Sequence, residues 1–174
     1  MSTDLAVRVE LHTGDRQGLR PLFGLAEDSA TVLDTYIDHG RVLVARLGSE
    51  LIGHLQLVES GRAGEIELKN MAVREDQQGR GVGARLVRAA VELVTAEGRT
   101  SLLVATAAAD VGNLRFYQRQ GFRMLAVERD AFTPATGYPA GIDIGGIELR
   151  DRVWLDYALR RPEDAELTAG DEGR

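Results

Sequence analysis

The sequence predicts a mixed α/β domain, and three observations carry that prediction. Strand-like and helix-like apolar patterns alternate along most of the chain. Hydrophobic residues make up 44% and charged residues 28% of it, the balance of a chain that folds around a core rather than a disordered one. A glycine-rich turn, Gln78-Gly79-Arg80-Gly81-Val82-Gly83-Ala84, joins the end of an apolar strand to the start of an apolar helix. At 174 residues the chain has the usual size of one domain. Residues 1–160 are expected to form it. From Arg161 onward Leu167 is the only large apolar residue, so residues 161–174 are expected to be a disordered polar tail.

Leu5 to Leu11 alternates apolar and polar residues, as a half-buried strand does. Gly14 to Gly40 then reads as one or two amphipathic helices, with apolar faces at Leu19, Leu22, Phe23 and Leu25 and at Val32, Leu33, Tyr36 and Ile37. Arg41 to Glu59 is leucine-rich and β-branched but broken at Leu47-Gly48-Ser49-Glu50, the pattern of a hairpin. A third strand is expected from Gly64 to Val73. After the glycine turn Val82, Leu86, Ala90 and Leu93 recur at helical spacing, while Arg85, Arg88, Glu92 and Thr95 mark a narrow polar stripe. Gly98 stands where a left-handed helix cap belongs, and Ser101 to Ala107 reads as a short buried strand. Asp110 or Asn113 can cap a further helix carrying Leu114, Phe116 and Tyr117, which should stop at Gly121. Strand-like runs resume at Phe122 to Val127 and at Ile147 to Leu159, separated by a glycine- and proline-rich stretch, Asp130 to Gly146, expected to be a long exposed loop of functional interest.

Composition excludes several kinds of chemistry. Zero cysteines rule out disulfides, thiolate zinc sites and a cysteine nucleophile, and His12, His39 and His54 are too far apart in sequence to suggest a metal site. No metal is expected. The formal net charge of -6 argues against a nucleic-acid partner and suits a cationic one. The longest apolar runs, such as Leu102 to Ala105, fall far short of the roughly 18 to 20 residues needed to cross a bilayer. No membrane segment is expected, and Met1-Ser2-Thr3-Asp4 lacks the basic start of a signal peptide, which points to a cytoplasmic address. Lys69 is the only lysine, and the arginine bias reads as compositional.

The turn has a physical use. Glycines let the backbone approach a ligand closely, and the first amides of a helix lack intrahelical acceptors. With the helix dipole they form an anion site that needs no basic side chain. A nucleotide P-loop would end in glycine-lysine-serine or threonine, and the only lysine precedes the turn. Gly79, Gly81 and Ala84 fit the dinucleotide fingerprint, yet Arg74 to Gln78 intervene after the strand and three strands precede it, which is the wrong order for that fold. A functionless glycine-rich surface turn is the remaining alternative.

Glu67-Leu68-Lys69-Asn70-Met71-Ala72-Val73 followed by Gln78-x-x-Gly81-x-Gly83 resembles motif A of the GNAT superfamily of N-acetyltransferases. Asn113-x-x-Phe116-Tyr117-x-x-x-Gly121-Phe122 resembles its motif B, at the expected separation. The similarity covers about residues 64 to 125, and Tyr138-Pro139 with Gly145 to Leu155 resembles the closing strands of a bacterial subgroup. The resemblance implies a twisted, mostly antiparallel sheet of six to seven strands with about four helices. It implies acetyl-CoA as cosubstrate. The pyrophosphate would be held by amides from Gln78 through Gly79, Arg80, Gly81, Val82 and Gly83 to Ala84, with Arg80 and Arg85 as added charge or simply as solvated arginines. The pantetheine arm would pair with Met71, Ala72 and Val73 where a bulge splays two strands apart, a backbone amide near Met71 would polarise the thioester carbonyl, and Asn113 and Phe116 complete the donor site.

A lysine-like amine at pH 7 must give up a proton at a cost of roughly 4.6 kcal/mol before it attacks, so a positioned base is useful. Glu67 matches the family's glutamate base, acting most naturally through a water; otherwise it is an exposed strand residue. Tyr117 matches the family's tyrosine that protonates or hydrogen-bonds the departing thiolate; otherwise it is a core aromatic. The acceptor would then be a small-molecule amine, attacked directly in a ternary complex because no cysteine can carry the acetyl group. A protein N-terminus or lysine is the alternative acceptor, and a non-catalytic acyl-CoA-binding module or a nucleotide-dependent oxidoreductase the alternative class. His54, Glu59, Tyr138 and Asp143 are candidates for the acceptor side. Apolar terminal strands leave room for a homodimer.

Overall fold

The computed structural model describes residues 6–159. The start of the first expected strand at Leu5 and the expected tail at 161–174 lie outside the described residues. The strands are β1 (Val7–Leu11), β2 (Arg41–Leu47), β3 (Glu50–Glu59), β4 (Glu65–Val73), β5 (Ser101–Ala107), β6 (Arg123–Glu128), β7 (Asp143–Ile144), β8 (Ile147–Glu148) and β9 (Arg152–Ala158). The helices are α1 (Arg20–Phe23), α2 (Ala30–Asp34), α3 (Val82–Ala96) and α4 (Val111–Arg119). Seven strands form one sheet in the order β1-β2-β3-β4-β5-β9-β6, and β7-β8 is a separate two-stranded hairpin. Every neighbouring pair in the large sheet is antiparallel except β4 and β5, the pair joined through the glycine turn and α3.

One face of the sheet packs on α3 and α4. Val82, Leu86, Ala90 and Val94 of α3 join Leu55, Leu57, Ile66, Leu68, Leu102 and Leu155 of the strands and Tyr117 of α4 in the main core. Arg85, Arg88 and Glu92 form the exposed stripe that the helical spacing predicts. The other face carries a smaller core of Leu19, Phe23, Leu33, Tyr36, Ile37, Val42 and Val44. Burying side chains of this kind contributes about 1.5 to 3 kcal/mol each, so the two cores hold α1, α2 and α3 against the sheet.

The helical region 14–40 holds two short α-helices, within the expected one or two: Pro21 stands in the first turn of α1, Gly24 ends it and the Ser29 side chain caps a separate α2 by accepting from Val32 N at 3.3 Å. Two expectations need correction. The run Ile147 to Leu159 is not one strand: Leu149, Arg150 and Asp151 turn the chain out of the β7-β8 hairpin before β9 enters the sheet between β5 and β6. Nor is 130–146 wholly exposed. Ala131 and Tyr138 are buried, and Ser29 Oγ donates to Gly137 O at 2.7 Å, tying this loop to the α1–α2 connection.

Candidate active site

The site begins with a slip in the β3–β4 register. Gln56 pairs with Asn70 but Leu57 pairs with Leu68, so Lys69 is an extra residue with no partner on β3. Such a bulge reverses the alternation of side chains. Before it Ile66 and Leu68 enter the main core; after it Met71 and Val73 pack against that core, and Asn70 turns to the opposite face. At the same place β4 parts from β5, since their pairing runs from Glu65↔Ser101 to Leu68↔Val104 and stops. The edge of β4 from Lys69 to Val73 therefore faces an opening rather than a strand, with backbone groups that need a partner.

That opening encloses about 1100 Å³, a generous size for a ligand site. Its donor end is lined by Met71, Ala72, Val73, Gln78, Gly79, Gly81, Val82, Gly83, Ala84, Asn113, Phe116 and Tyr117. Arg80 stands on the same turn, exposed and not among the lining residues, and Arg85 donates instead to Val7 O at 3.4 Å. Gly79 and Gly81 hold φ of 73° and 77°, and a Cβ on either would meet no protein atom within 4 Å. The turn thus leaves space beside the free amides of α3. At Gly83, the second residue of α3, a Cβ would come within 3.2 Å of the Phe116 ring, so the glycine lets that ring lie close against the helix start. Exposed amides at a helix N-terminus and an unpaired strand edge fit a ligand that is anionic at one end and extended at the other.

Asp110 caps α4 by accepting from Asn113 N at 2.9 Å, leaving the Asn113 side chain exposed at the opening. Tyr117 is 5% exposed and packs edge-on against Phe116 and Phe122. Burial, and behind it the Asp110 carboxylate, pushes its pKa well above the ordinary value, so the phenol keeps its proton and is a hydrogen-bond donor.

The other end is assembled from distant segments. Glu67 lies on the face opposite the main core, with its side chain 15% exposed and its carboxylate 3.4 Å from Lys69 Nζ. Lys69 Nζ in turn stands 5.2 Å from the centre of the Tyr36 ring. Tyr36 donates to Glu27 at 2.9 Å and receives a hydrogen bond from Asn70 Nδ2 at 3.0 Å, while Tyr138 reaches the same Glu27 oxygen from the loop at 3.4 Å. Burial and the Glu27 charge push Tyr138 up to about 12. Trp154 and Arg152 share a face of β9, bond to Glu128 at 3.0 and 3.1 Å, and Arg152 lies 4.9 Å from the centre of the Phe132 ring.

Of the acceptor candidates, Tyr138 lines the opening and three do not. His54 is fully buried against Phe23, its Nε2 donating to Asn70 Oδ1 at 2.8 Å; burial lowers its pKa to about 4, so it is neutral. Glu59 pairs with Arg99, and Asp143 accepts from Gly146 N within the β7-β8 hairpin. Sequence reasoning missed Glu27, Asn70, Phe132, Arg152 and Trp154, whose roles depend on the bulge and on strand order. Among the described residues no cluster of potential metal ligands is found.

Residues 14–122 match the acetyltransferase (GNAT) family. The chain belongs to the GNAT family. An N-acetyltransferase of Bacillus subtilis (strain 168) named YvbK, whose function is uncharacterized, is 33% identical over 152 residues, 86% of this chain and 96% of its own. A Bacillus subtilis acetyltransferase solved in complex with CoA superposes with a TM-score of 0.81 at 32% identity, covering 89% of this chain and 100% of that one. A GNAT acetyltransferase from Elizabethkingia anophelis with acetyl-CoA bound gives a TM-score of 0.81 at 28% identity over 88% and 98% of the two chains. The GNAT membership inferred from the two motifs and the mixed, mostly antiparallel sheet of seven strands are thus borne out.

Proposed function

We propose that this acetyl-CoA-dependent N-acetyltransferase transfers acetyl to a small primary amine. One observation carries the choice of acceptor: the carboxylates of Glu27 and Glu67 line an opening walled by Tyr36, Phe132, Tyr138 and Trp154 and bridged by the 130–146 loop through Ser29 and Tyr138. Acid among aromatic faces suits an ammonium on a compact apolar body. A bridged opening suits a small molecule better than a polypeptide.

In this reading the amides from Gln78 to Ala84 hold the pyrophosphate, aided by the dipole of α3. The Met71–Val73 edge pairs with the pantetheine arm, Asn113 and Phe116 flank it, and Arg80 adds charge from outside. Acetyl-CoA supplies an acyl group activated as a thioester. Glu67 takes the proton of the acceptor ammonium, through a water, and a β4 amide near Met71 donates to the thioester carbonyl. Tyr117 hydrogen-bonds the departing thiolate; its raised pKa makes it a poor proton donor but a lasting hydrogen-bond donor. Attack is direct, in a ternary complex, with no acyl-enzyme on the path.

Among the described residues no helix is long and apolar enough to cross a membrane, and we take the enzyme to act in the cytoplasm as one domain of residues 1–160. A homodimer would use the edge strand β6, where Met124, Leu125 and Val127 are exposed. The test of the acceptor is thiol release from acetyl-CoA across two panels, small mono- and diamines and short peptides with free N-termini or lysines. Saturable turnover confined to the small amines is expected. Faster turnover of the peptides would move the enzyme to the protein acetyltransferases.

A further inference from the structure

Lys69 is the only lysine in a chain with 21 basic lysine and arginine residues, and the fold places it inside the acetyl-transfer site. It is the bulge residue itself, at the point where β4 leaves β5, one residue before Asn70 and two before Met71. A two-residue step along a strand is about 6 to 7 Å, which an extended lysine side chain can span. Its ammonium lies 3.4 Å from Glu67, the group read above as the base for the acceptor amine. Its side chain is 35% exposed, so it is held by Glu67 and the Tyr36 ring but not sealed off. Lys69 Nζ is thus an amine of this chain held directly against the proposed base, closer to it than a water-separated acceptor nitrogen would be. Arginine could fill the same electrostatic role but stays protonated and does not act as a nucleophile, whereas lysine can lose its proton and attack.

We propose that Lys69 is a self-acetylation site: with acetyl-CoA bound and no acceptor present, the enzyme acetylates its own Lys69. This inference rests on the acetyltransferase reading of the same opening. In the step, Glu67 takes a proton from Nζ, the Nζ–C(acetyl) bond forms, and the C–S bond of the thioester breaks. The nitrogen releases its second proton to solvent as the C–S bond breaks, the sulfur leaves as CoA thiolate and takes a proton from solvent, and Lys69 becomes a neutral amide. Acetylation removes the cation between Glu67 and Tyr36, and with it the Glu67–Lys69 ion pair.

The single lysine makes the experiment clean. The full chain is incubated with acetyl-CoA and no amine, then measured by intact mass and by peptide mapping, beside the same chain in denaturant and the Lys69→Arg and Tyr117→Phe variants. One acetyl group on the Lys69 peptide is expected, formed at a rate independent of protein concentration and at least about 100-fold faster than in the denatured chain, as an oriented intramolecular reaction should be. Lys69→Arg should show no acetyl on that peptide, and Tyr117→Phe should slow its appearance. If the folded chain is stabilised by acetyl-CoA and acetylates added amines while Lys69 stays unmodified, or is modified no faster than when unfolded, self-acetylation is overturned and the acetyltransferase reading stands. If acetyl-CoA neither stabilises the chain nor is consumed, both fall together.

Discussion

The two ends of the opening are built in different ways. The donor end is nearly continuous in sequence: Met71 to Ala84 supply a strand edge, a turn and a helix start, and Asn113 to Tyr117 add one helical turn. The acceptor end is gathered from Glu27 and Tyr36, from Glu67 and Lys69, from Phe132 and Tyr138, and from Arg152 and Trp154. In the proposed function, backbone groups at the donor end would bind features common to every acyl-CoA, which calls for glycines and local geometry. Side chains at the acceptor end would have to match one amine, and they are drawn from whichever segments the sheet order brings together. A binding function is expected to be fragile at the first and adjustable at the second.

The largest expected effect lies at the donor end. Gly81→Val puts a β-branched side chain at φ 77° into the space beside the α3 amides. Acetyl-CoA affinity should fall by about 100-fold or more, as two or more charge-assisted hydrogen bonds are lost. The strain of about 1 to 2 kcal/mol should lower the melting temperature by only a few degrees. Isothermal titration beside a melting curve separates the two. If affinity holds, the turn is not the phosphate site.

Glu67→Gln comes next and tests the junction between the two ends. Turnover at pH 7 should fall by about 100-fold, with little change in the KM for acetyl-CoA. The loss should be larger at low pH, where free amine is scarce, and shrink as pH rises toward the amine's own pKa. A uniform loss across pH would reduce Glu67 to a positioning role. Tyr117→Phe should lower kcat by about 10-fold, the worth of one hydrogen bond to a charged leaving group, while the ring continues to pack on Phe116 and Phe122. Unchanged kcat would leave Tyr117 a packing residue.

The last effect concerns stability rather than turnover and lies behind the acceptor wall. Burial lowers His54 from its ordinary 6.5 to about 4, so between those values the unfolded chain binds more protons than the folded one. His54 therefore contributes stability in full above about pH 6.5 that is lost as pH falls toward 4, at up to roughly 1.4 kcal/mol per pH unit. His54→Gln, which can still bond Asn70, should flatten this acid limb of the melting temperature. An identical limb in the variant would show that other groups set it.

The same contrast governs what the sequence discloses. The glycine turn, the α3 periodicity and the Asn113 to Gly121 pattern are local, and each depends on residues within one or two turns of each other. The bulge at Lys69 leaves no local mark, because an extra residue shows itself only against the partner strand β3. Without it Asn70 cannot be placed facing Phe23 O and Tyr36, nor Met71 and Val73 turned toward the main core. Trp154 was equally hidden, because β9 reaches the opening only by entering the sheet between β5 and β6, a long-range choice that apolar spacing does not encode. His54 and Glu59 were misplaced for the converse reason: polar residues on a strand invite a surface reading, yet the α1–α2 layer covers His54, and Glu59 lies at the far end of β3 beside Arg99.

The most direct measurement compares the melting temperatures of the wild-type chain and Gly81→Val, each with and without acetyl-CoA at about 100 times the wild-type dissociation constant. At that excess a ligand adds about 2.7 kcal/mol, a rise of roughly 5 to 11 °C for a domain of this size. That rise is expected for the wild type and almost none for Gly81→Val, with the two unliganded chains melting within a few degrees of each other. Equal rises in both chains, or none in the wild type, would contradict a donor site built on the glycine turn.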